Sequence, residues 1–154
     1  MLIRDFTYVE RPSSEVCSQL LADHGSWLSP LAVAAAEEGD ALRIRLGPLS
    51  ALPLLSKTAR VTLGEPAGTT DDVIVPLSWE ATGPRGAFPV LHGDLRVAPL
   101  GAQRTQITLE GRYEPPLGAI GRRLDTIVLH RVAEASVRNF LELVARALTL
   151  PAPN

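Results

Sequence analysis

The sequence predicts an α+β fold in which a curved antiparallel sheet of about seven strands wraps around a long C-terminal helix. The predicted elements follow in the order strand, two short helices, six strands and long helix. Apolar residues recur with a period of two between residues 31 and 114, and with a helical period near the C-terminus. No repeat or linker interrupts the 154 residues, so residues 1–154 are predicted to form one domain.

The N-terminal third is predicted to hold one strand and two short helices. Residues 2–10 are rich in Phe, Thr, Tyr and Val, which favours a strand. Pro12-Ser13-Ser14-Glu15 then predicts a helix start with a serine cap, and Glu15 lies near the positive end of the helix dipole. Gly25 is a plausible helix stop, and Trp27-Leu28 before Pro30 indicates a second, very short helical turn.

The middle of the chain is predicted to form six strands separated by glycine- and proline-containing turns. The strands are expected at residues 31–37, 41–47, 57–65, 72–82, 88–99 and 104–114. Glu38-Gly39-Asp40 between the first two indicates a hairpin, and Pro66-Ala67-Gly68 is read as a turn. Pro76 inside a strand predicts an edge or a bulge, because proline cannot donate a ladder hydrogen bond.

Alternation along these strands separates an apolar inward face from a charged outward face. The sequence predicts that Val61, Leu77, Leu95 and Leu109 face the C-terminal helix. It predicts solvent exposure for the arginines at the alternate positions, namely Arg43, Arg45, Arg60, Arg96 and Arg112.

The last predicted element is a long amphipathic helix. Pro115-Pro116 ends the final strand, and residues 117–149 contain no proline. One apolar stripe is opposed by Arg138, Glu142 and Arg146. The stripe consists of Ala133, Val137, Phe140, Leu141, Val144 and Leu148.

Composition excludes several function classes. The net charge of −2 and pI near 5.9 give no reason to expect a nucleic-acid partner, which needs clustered positive charge. The longest charge-free apolar stretch, residues 46–56, contains two prolines and is shorter than the roughly 20 residues of a membrane-spanning helix. Cys17 is the single cysteine, so a reducing compartment is expected and the protein is predicted to be cytoplasmic.

The element order resembles the helix-grip fold of the START-like superfamily, which includes birch-pollen-allergen-like proteins and the polyketide cyclase/dehydrase and lipid-transport group. The resemblance covers essentially the whole chain. It depends on the helix opening Pro12-Ser13-Ser14-Glu15-Val16 and on the strand–helix junction Gly111-Arg112-Tyr113-Glu114-Pro115-Pro116-Leu117-Gly118. The resemblance implies a deep apolar cavity between sheet and helix that binds lipids, polyketides or other hydrophobic molecules. It carries no catalytic residue over to this chain.

The candidate ligand-binding residues are those that the pattern directs toward this cavity. We predict that Trp27, Val61, Leu77, Trp79, Leu95, Leu109, Tyr113, Thr126, His130, Ala133 and Val137 line it. His130 falls on the apolar stripe, so we expect it to be buried without an anionic partner, as an orienting or acid–base group or as a satisfied core histidine. The His and Cys spacings match no metal motif, and no metal, cofactor or catalytic residue is predicted.

Three functions remain open at this point. The first is a non-enzymatic carrier of a hydrophobic small molecule, and the second is an enzyme of the polyketide cyclase/aromatase type. The third is a protein-interaction module that uses the apolar segment 47–55. That segment could cover the cavity mouth, touch a membrane, join two copies in a homodimer, or fold back onto the core.

Overall fold

The computed structural model describes residues 1–22, 27, 41–46, 57–81, 90–114 and 126–149, with backbone alone at 41–46, 57–59, 81, 126–129 and 132. Its main feature is an antiparallel sheet. The strands are β1 (Leu2–Val9), β2 (Ala41–Leu46), β3 (Lys57–Leu63), β4 (Ala67–Gly68), β5 (Val73–Ala81), β6 (Val90–Pro99) and β7 (Thr105–Glu114). They are ordered β1-β7-β6-β5-β3-β2, and β4 pairs separately with β5.

The alternation of side chains sorts the two faces of the sheet as predicted. Val61, Leu77, Leu95 and Leu109 are all buried in the core. Arg60, Arg96 and Arg112, which alternate with them, are exposed. The side chains of Arg43 and Arg45, the proposed strand at 31–37 and the segment 47–55 lie outside the described residues.

Pro76 lies where β5 changes partners. Leu77 pairs with Leu63 of β3, whereas Ile74 pairs with Ala67 of β4. The Pro76 carbonyl accepts a hydrogen bond from Gly64 N (2.7 Å), so the missing N–H of Pro76 faces the break between β3 and β4. The prediction that Pro76 lies in an edge strand is therefore wrong, because β5 lies between β6 and β3 in the sheet. The proline is accommodated instead by the break in the hydrogen-bond ladder between β3 and β4.

The turn predicted at residues 66–68 contains the short strand β4, which the sequence did not reveal. Gly68 has φ 139°, and a Cβ at this position would lie 2.1 Å from the carbonyl oxygen of Asp72. Thr69 N donates to the same oxygen (2.8 Å). A glycine is needed at residue 68 because the backbone turns sharply directly after Ala67 and Gly68 have paired with β5, which requires a positive φ angle.

The first helix, α1 (Ser13–Leu21), starts without the predicted serine cap. Pro12 is the N-cap residue, and no side chain caps the helix. Its carbonyl accepts hydrogen bonds from Glu15 N and Val16 N, so the helix begins one residue earlier than a Ser13 cap would allow. Ser13 is then a buried helical residue. The predicted second helical turn is described at Trp27 alone.

The C-terminal helix, α2 (Thr126–Thr149), shows the predicted amphipathic pattern. Every residue of the predicted apolar stripe is buried, and Arg138, Glu142 and Arg146 are exposed. Residues 117–125, which the sequence assigned to the same helix, lie outside the described residues. Arg11 donates to the Leu148 carbonyl (2.6 Å) and Gln19 to the Ala147 carbonyl (3.3 Å), which joins α1 to the last turn of α2.

Candidate functional site

The inner surface of the sheet and the buried stripe of α2 form one apolar cluster. Trp79 of β5 contacts Phe140 of α2, with ring centroids 5.3 Å apart and planes tilted by 58°. This geometry is a favourable arrangement of two aromatic rings. The contact shows that α2 packs directly against the inward side of the sheet.

The structure brings most of the predicted site residues together in this cluster. Nine of the eleven are buried members of it: Trp27, Val61, Leu77, Trp79, Leu95, Leu109, Tyr113, Ala133 and Val137. The side chain of Thr126 lies outside the described residues. Alternation and the helical stripe place eight of these residues on the inner surface, and Trp27 joins the same cluster from outside the strands and α2. Their contact with a ligand remains a prediction.

His130 is the predicted site residue that the structure places elsewhere. Its side chain is 46% exposed, and its Nε2 lies 3.0 Å from Glu134 Oε1. The prediction of a buried imidazole without an anionic partner is therefore wrong. The helical wheel places His130 on the face of the apolar stripe, but α2 lies along the edge strand β1 here, and the groove between them is open to solvent.

A polar groove of about 270 Å³ surrounds His130, between β1 and α2. Arg138 Nε lies 3.3 Å from Asp5 Oδ2 across the groove, next to the His130–Glu134 pair. The rest of the lining comes from Leu2, Ile3 and Arg4. The side chains of His130, Glu134 and Arg138 are 46–69% exposed and that of Asp5 is 22% exposed, so water reaches both pairs and each stabilises the fold only slightly.

Among the described residues, the apolar cluster contains two ionisable groups, Cys17 and Tyr113, and both are shifted toward their neutral forms. Burial raises the pKa of the Tyr113 phenol to about 12. Burial, together with the negative charges of Asp71 and Asp72, raises the pKa of the Cys17 thiol to about 11. Both groups are therefore protonated and uncharged at neutral pH.

The buried polar side chains of the described residues are Ser13, Thr105, Ser136 and Asn139, and none of them carries a charge. Within the same part of the chain, no three His, Cys, Asp or Glu side chains are arranged to hold a metal ion. The described interior can therefore exclude water, pack against apolar surface and donate hydrogen bonds. It offers no charged group for proton transfer.

Two buried side-chain N–H groups lack a hydrogen-bond acceptor among the described residues, and the sequence did not predict this. Trp27 Nε1 and Asn139 Nδ2 have no hydrogen-bond partner among the described residues. The sequence marked Trp27 as a wall residue, but Asn139 was missed. The sequence offered no signal for its burial, because the helical wheel places Asn139 on the same face as the exposed Glu142 and Arg146.

No described helix is both long enough and apolar enough to cross a membrane. No protein-family model matches the chain, and no curated protein matches it. Solved structures do match it over nearly its whole length.

A conserved protein from Geobacillus kaustophilus aligns with a TM-score of 0.64 at 13% identity, over 96% of this chain and 95% of that chain. The Zhui aromatase/cyclase from Streptomyces sp. R1128 aligns with a TM-score of 0.58 at 19% identity, over 97% of this chain and 91% of that chain. A START superfamily protein from Mycobacterium smegmatis aligns with a TM-score of 0.53 at 14% identity, over 96% and 94%. At these identities the likeness concerns the fold, and it confirms the predicted architecture: the chain has an α+β helix-grip fold, as these solved structures do.

Proposed function

We propose that this protein binds and carries a hydrophobic small molecule between the inner face of its sheet and α2. The observation that supports this most directly is the composition of the inner surface. The inward residues of β3, β5, β6 and β7 that the structure describes form one cluster with α2, and no charged side chain is buried among them. A ligand held there would be bound mainly by burial of its apolar surface, at about 25 cal/mol per Å².

The residues proposed to contact the ligand are the predicted ones without His130. They are Trp27, Val61, Leu77, Trp79, Leu95, Leu109, Tyr113, Thr126, Ala133 and Val137. We propose that the whole chain acts as one domain in this function. The structural similarity to a START superfamily protein and to an aromatase/cyclase supports a fold that has room for such a ligand.

Carriage is favoured over polyketide-type cyclisation because of the ionisable groups that the described interior contains. Such an enzyme needs a group that gains or loses a proton near neutral pH. Tyr113 and Cys17 have raised pKa values of about 12 and about 11, so neither exchanges a proton readily at pH 7. His130 lies outside this interior, in the polar groove at the sheet edge.

Native mass spectrometry of freshly purified protein tests the proposal, because a carrier is expected to retain an apolar molecule from its host. Titration with the fluorescent probe 8-anilinonaphthalene-1-sulfonate provides the affinity. The Ala133→Leu variant adds volume at a fully buried position of the inner surface, and we expect it to weaken probe binding about tenfold. Glu142→Leu places the same side chain on the exposed face of α2 and serves as the matched control. Equal probe affinity in both variants, with no molecule retained, would overturn the proposal.

A further inference from the structure

The strand β1 forms an edge of the sheet and carries exposed apolar side chains on its outer face. Among the described residues, β1 pairs with β7 and has no strand on its other side. Leu2, Phe6 and Tyr8 are 72%, 51% and 44% exposed. The rings of Phe6 and Tyr8 contact each other, with centroids 5.5 Å apart. An exposed edge strand of this kind is a template for pairing with another chain.

The free side of β1 presents the backbone groups of its even-numbered residues. Met1 N donates to the Tyr113 carbonyl (2.9 Å) and Tyr113 N donates to the Met1 carbonyl (2.8 Å), so these residues form a hydrogen-bonded pair. Such pairs alternate along an antiparallel ladder, so the odd-numbered residues of β1 direct their backbone groups toward β7. The groups of the even-numbered residues face away from it. One of these is already bonded, because Phe6 N donates to Asp5 Oδ1 (2.9 Å).

We propose that β1 pairs antiparallel with β1 of a second copy of this chain, around a two-fold axis at Thr7. Phe6 then lies opposite the partner's Tyr8, and Arg4 lies opposite the partner's Glu10. Facing aromatic rings and opposite charges both stabilise cross-strand pairs, and the axis makes each contact twice. A cation, two aromatic rings and an anion follow one another at alternate positions, so the strand matches its own reverse order. This match favours a second copy over an unrelated extended peptide.

Other two-fold arrangements that use the same backbone groups match less well. With the axis at Phe6, Arg4 lies opposite the partner's Tyr8 and Glu10 lies opposite the partner's Leu2. With the axis at Tyr8, Glu10 lies opposite the partner's Phe6. In both cases the Glu10 carboxylate has no cation across the strands. The charges therefore select the axis at Thr7.

Dimer formation exchanges contacts that a single copy already makes. Arg4 lies 3.6 Å from Glu110, and Glu10 lies 2.7 Å from Arg104. The Arg4 and Glu10 side chains are 70% and 69% exposed, so these ion pairs contribute little to stability and cost little to exchange. The Phe6 N–H also leaves its side-chain acceptor for a backbone carbonyl of the partner. Because β1 has eight residues, the paired surface is small, and we expect a reversible dimer of micromolar or weaker affinity.

Reversing the two charges in separate variants tests the proposal. Arg4→Glu creates a repulsive pair at both ends of the dimer, and so does Glu10→Arg. Sedimentation velocity over a concentration series gives the dissociation constants, and we expect each variant alone to dimerise at least about tenfold more weakly. An equimolar mixture of the two variants places opposite charges at both ends. We therefore expect the mixture to recover the affinity of the unmodified protein.

Two further variants separate this interface from other causes. Arg146→Glu makes the same charge change as Arg4→Glu on the exposed face of α2, and should change the dissociation constant by less than about twofold. Phe6→Lys removes the facing rings while keeping both charge pairs, and should also weaken the dimer about tenfold. Circular dichroism checks that each variant is folded.

Three results would overturn the proposal. The first is an unmodified protein that stays monomeric up to about 1 mM, where even a weak interface would be populated. The second is a dimer that neither charge reversal weakens. The third is a mixture of Arg4→Glu and Glu10→Arg that does not recover the affinity, because Arg4 then does not face the partner's Glu10.

Discussion

Gly93 of β6 and Gly111 of β7 lie directly opposite each other, and neither leaves room for a side chain. A Cβ on Gly93 would lie 2.4 Å from the Glu110 carbonyl oxygen and 2.7 Å from Gly111 Cα. A Cβ on Gly111 would lie 2.6 Å from the carbonyl oxygen of His92. Both glycines occupy inward positions, so the two backbones approach most closely on the concave side, where glycine permits a sharp bend.

Replacing Gly111 by alanine is expected to destabilise the protein by about 3 kcal/mol, because the new methyl group overlaps backbone atoms that cannot move independently of the sheet. Urea unfolding followed by circular dichroism measures the loss. Thr108→Ala, an outward-facing change in the same strand, should cost no more than about 1 kcal/mol. A loss below about 1 kcal/mol for Gly111→Ala would contradict the close approach of the two strands.

His130→Ala is expected to leave ligand affinity unchanged, because His130 lies in the polar groove between β1 and α2 and not in the apolar cluster. The variant loses a half-exposed pair with Glu134, so the expected loss of stability is about 0.5 kcal/mol or less. Fluorescent-probe titration measures the affinity, with Ala133→Leu as the variant that should weaken it. A loss of more than fivefold in His130→Ala would show that His130 does reach the ligand.

The surface pair Asp72–Arg96 is expected to make a small, pH-dependent contribution to stability. Arg96 donates two hydrogen bonds to the Asp72 carboxylate (3.0 and 2.7 Å), and these lower the pKa of Asp72 below its usual 3.8. The folded state therefore binds this proton less tightly than the unfolded state. The stabilisation is present above pH 3.8 and is lost as the pH falls through the lowered pKa.

At pH 7, Asp72→Asn should therefore cost less than about 1 kcal/mol, since both side chains are partly exposed to water. The cost should shrink when unfolding is measured near pH 2.5. Arg96→Gln should show the same loss at pH 7, and the double variant should lose little more than either single variant. A cost that stays constant between pH 7 and pH 2.5 would rule out the ion pair as its cause.

Tyr113 is expected to make the fold sensitive to alkali. Its pKa is raised by burial from 10.0 to about 12, so the unfolded chain releases this proton at a lower pH than the folded protein does. Stability is thus unaffected below pH 10 and falls as the pH rises toward 12, by up to about 1.4 kcal/mol per pH unit. Tyr113→Phe keeps the ring and should flatten the decline above pH 10. Cys17→Ala serves as the reference, since its thiol gives a similar decline that begins near pH 9. An unchanged alkaline slope in Tyr113→Phe would count against a buried phenol.

Periodicity was sufficient to predict the two faces of the sheet and the buried stripe of α2. Successive side chains of a strand point to opposite faces whichever strand lies beside it. The sequence alone could therefore place Arg96 on the exposed face and Leu95 on the buried face. The helical wheel likewise placed Val137 on the buried side of α2 and Arg138 on the exposed side. These assignments depend only on local backbone geometry.

What could not be predicted depends on which elements become neighbours. His130 has the direction of a core residue, but an edge strand lies beside it. Pro76 belongs to an internal strand, and it is tolerated there because β3 and β4 leave a break at that position. The unpaired donor of Asn139 becomes visible only when its surroundings are known. Tertiary contacts decide each of these, and a local pattern carries no information about them.

The pairing of β1 with β7 has a consequence for how the protein is made. Leu2 pairs with Arg112, so β1 leaves the ribosome long before the strand with which it pairs. At a synthesis rate of 5–20 residues per second, β1 stays without its partner for roughly ten seconds. During this time Phe6 and Tyr8, which remain about half exposed even in the folded protein, are available to other nascent chains. Refolding should be slow for the same reason, because closing a loop of this length precedes any gain from pairing.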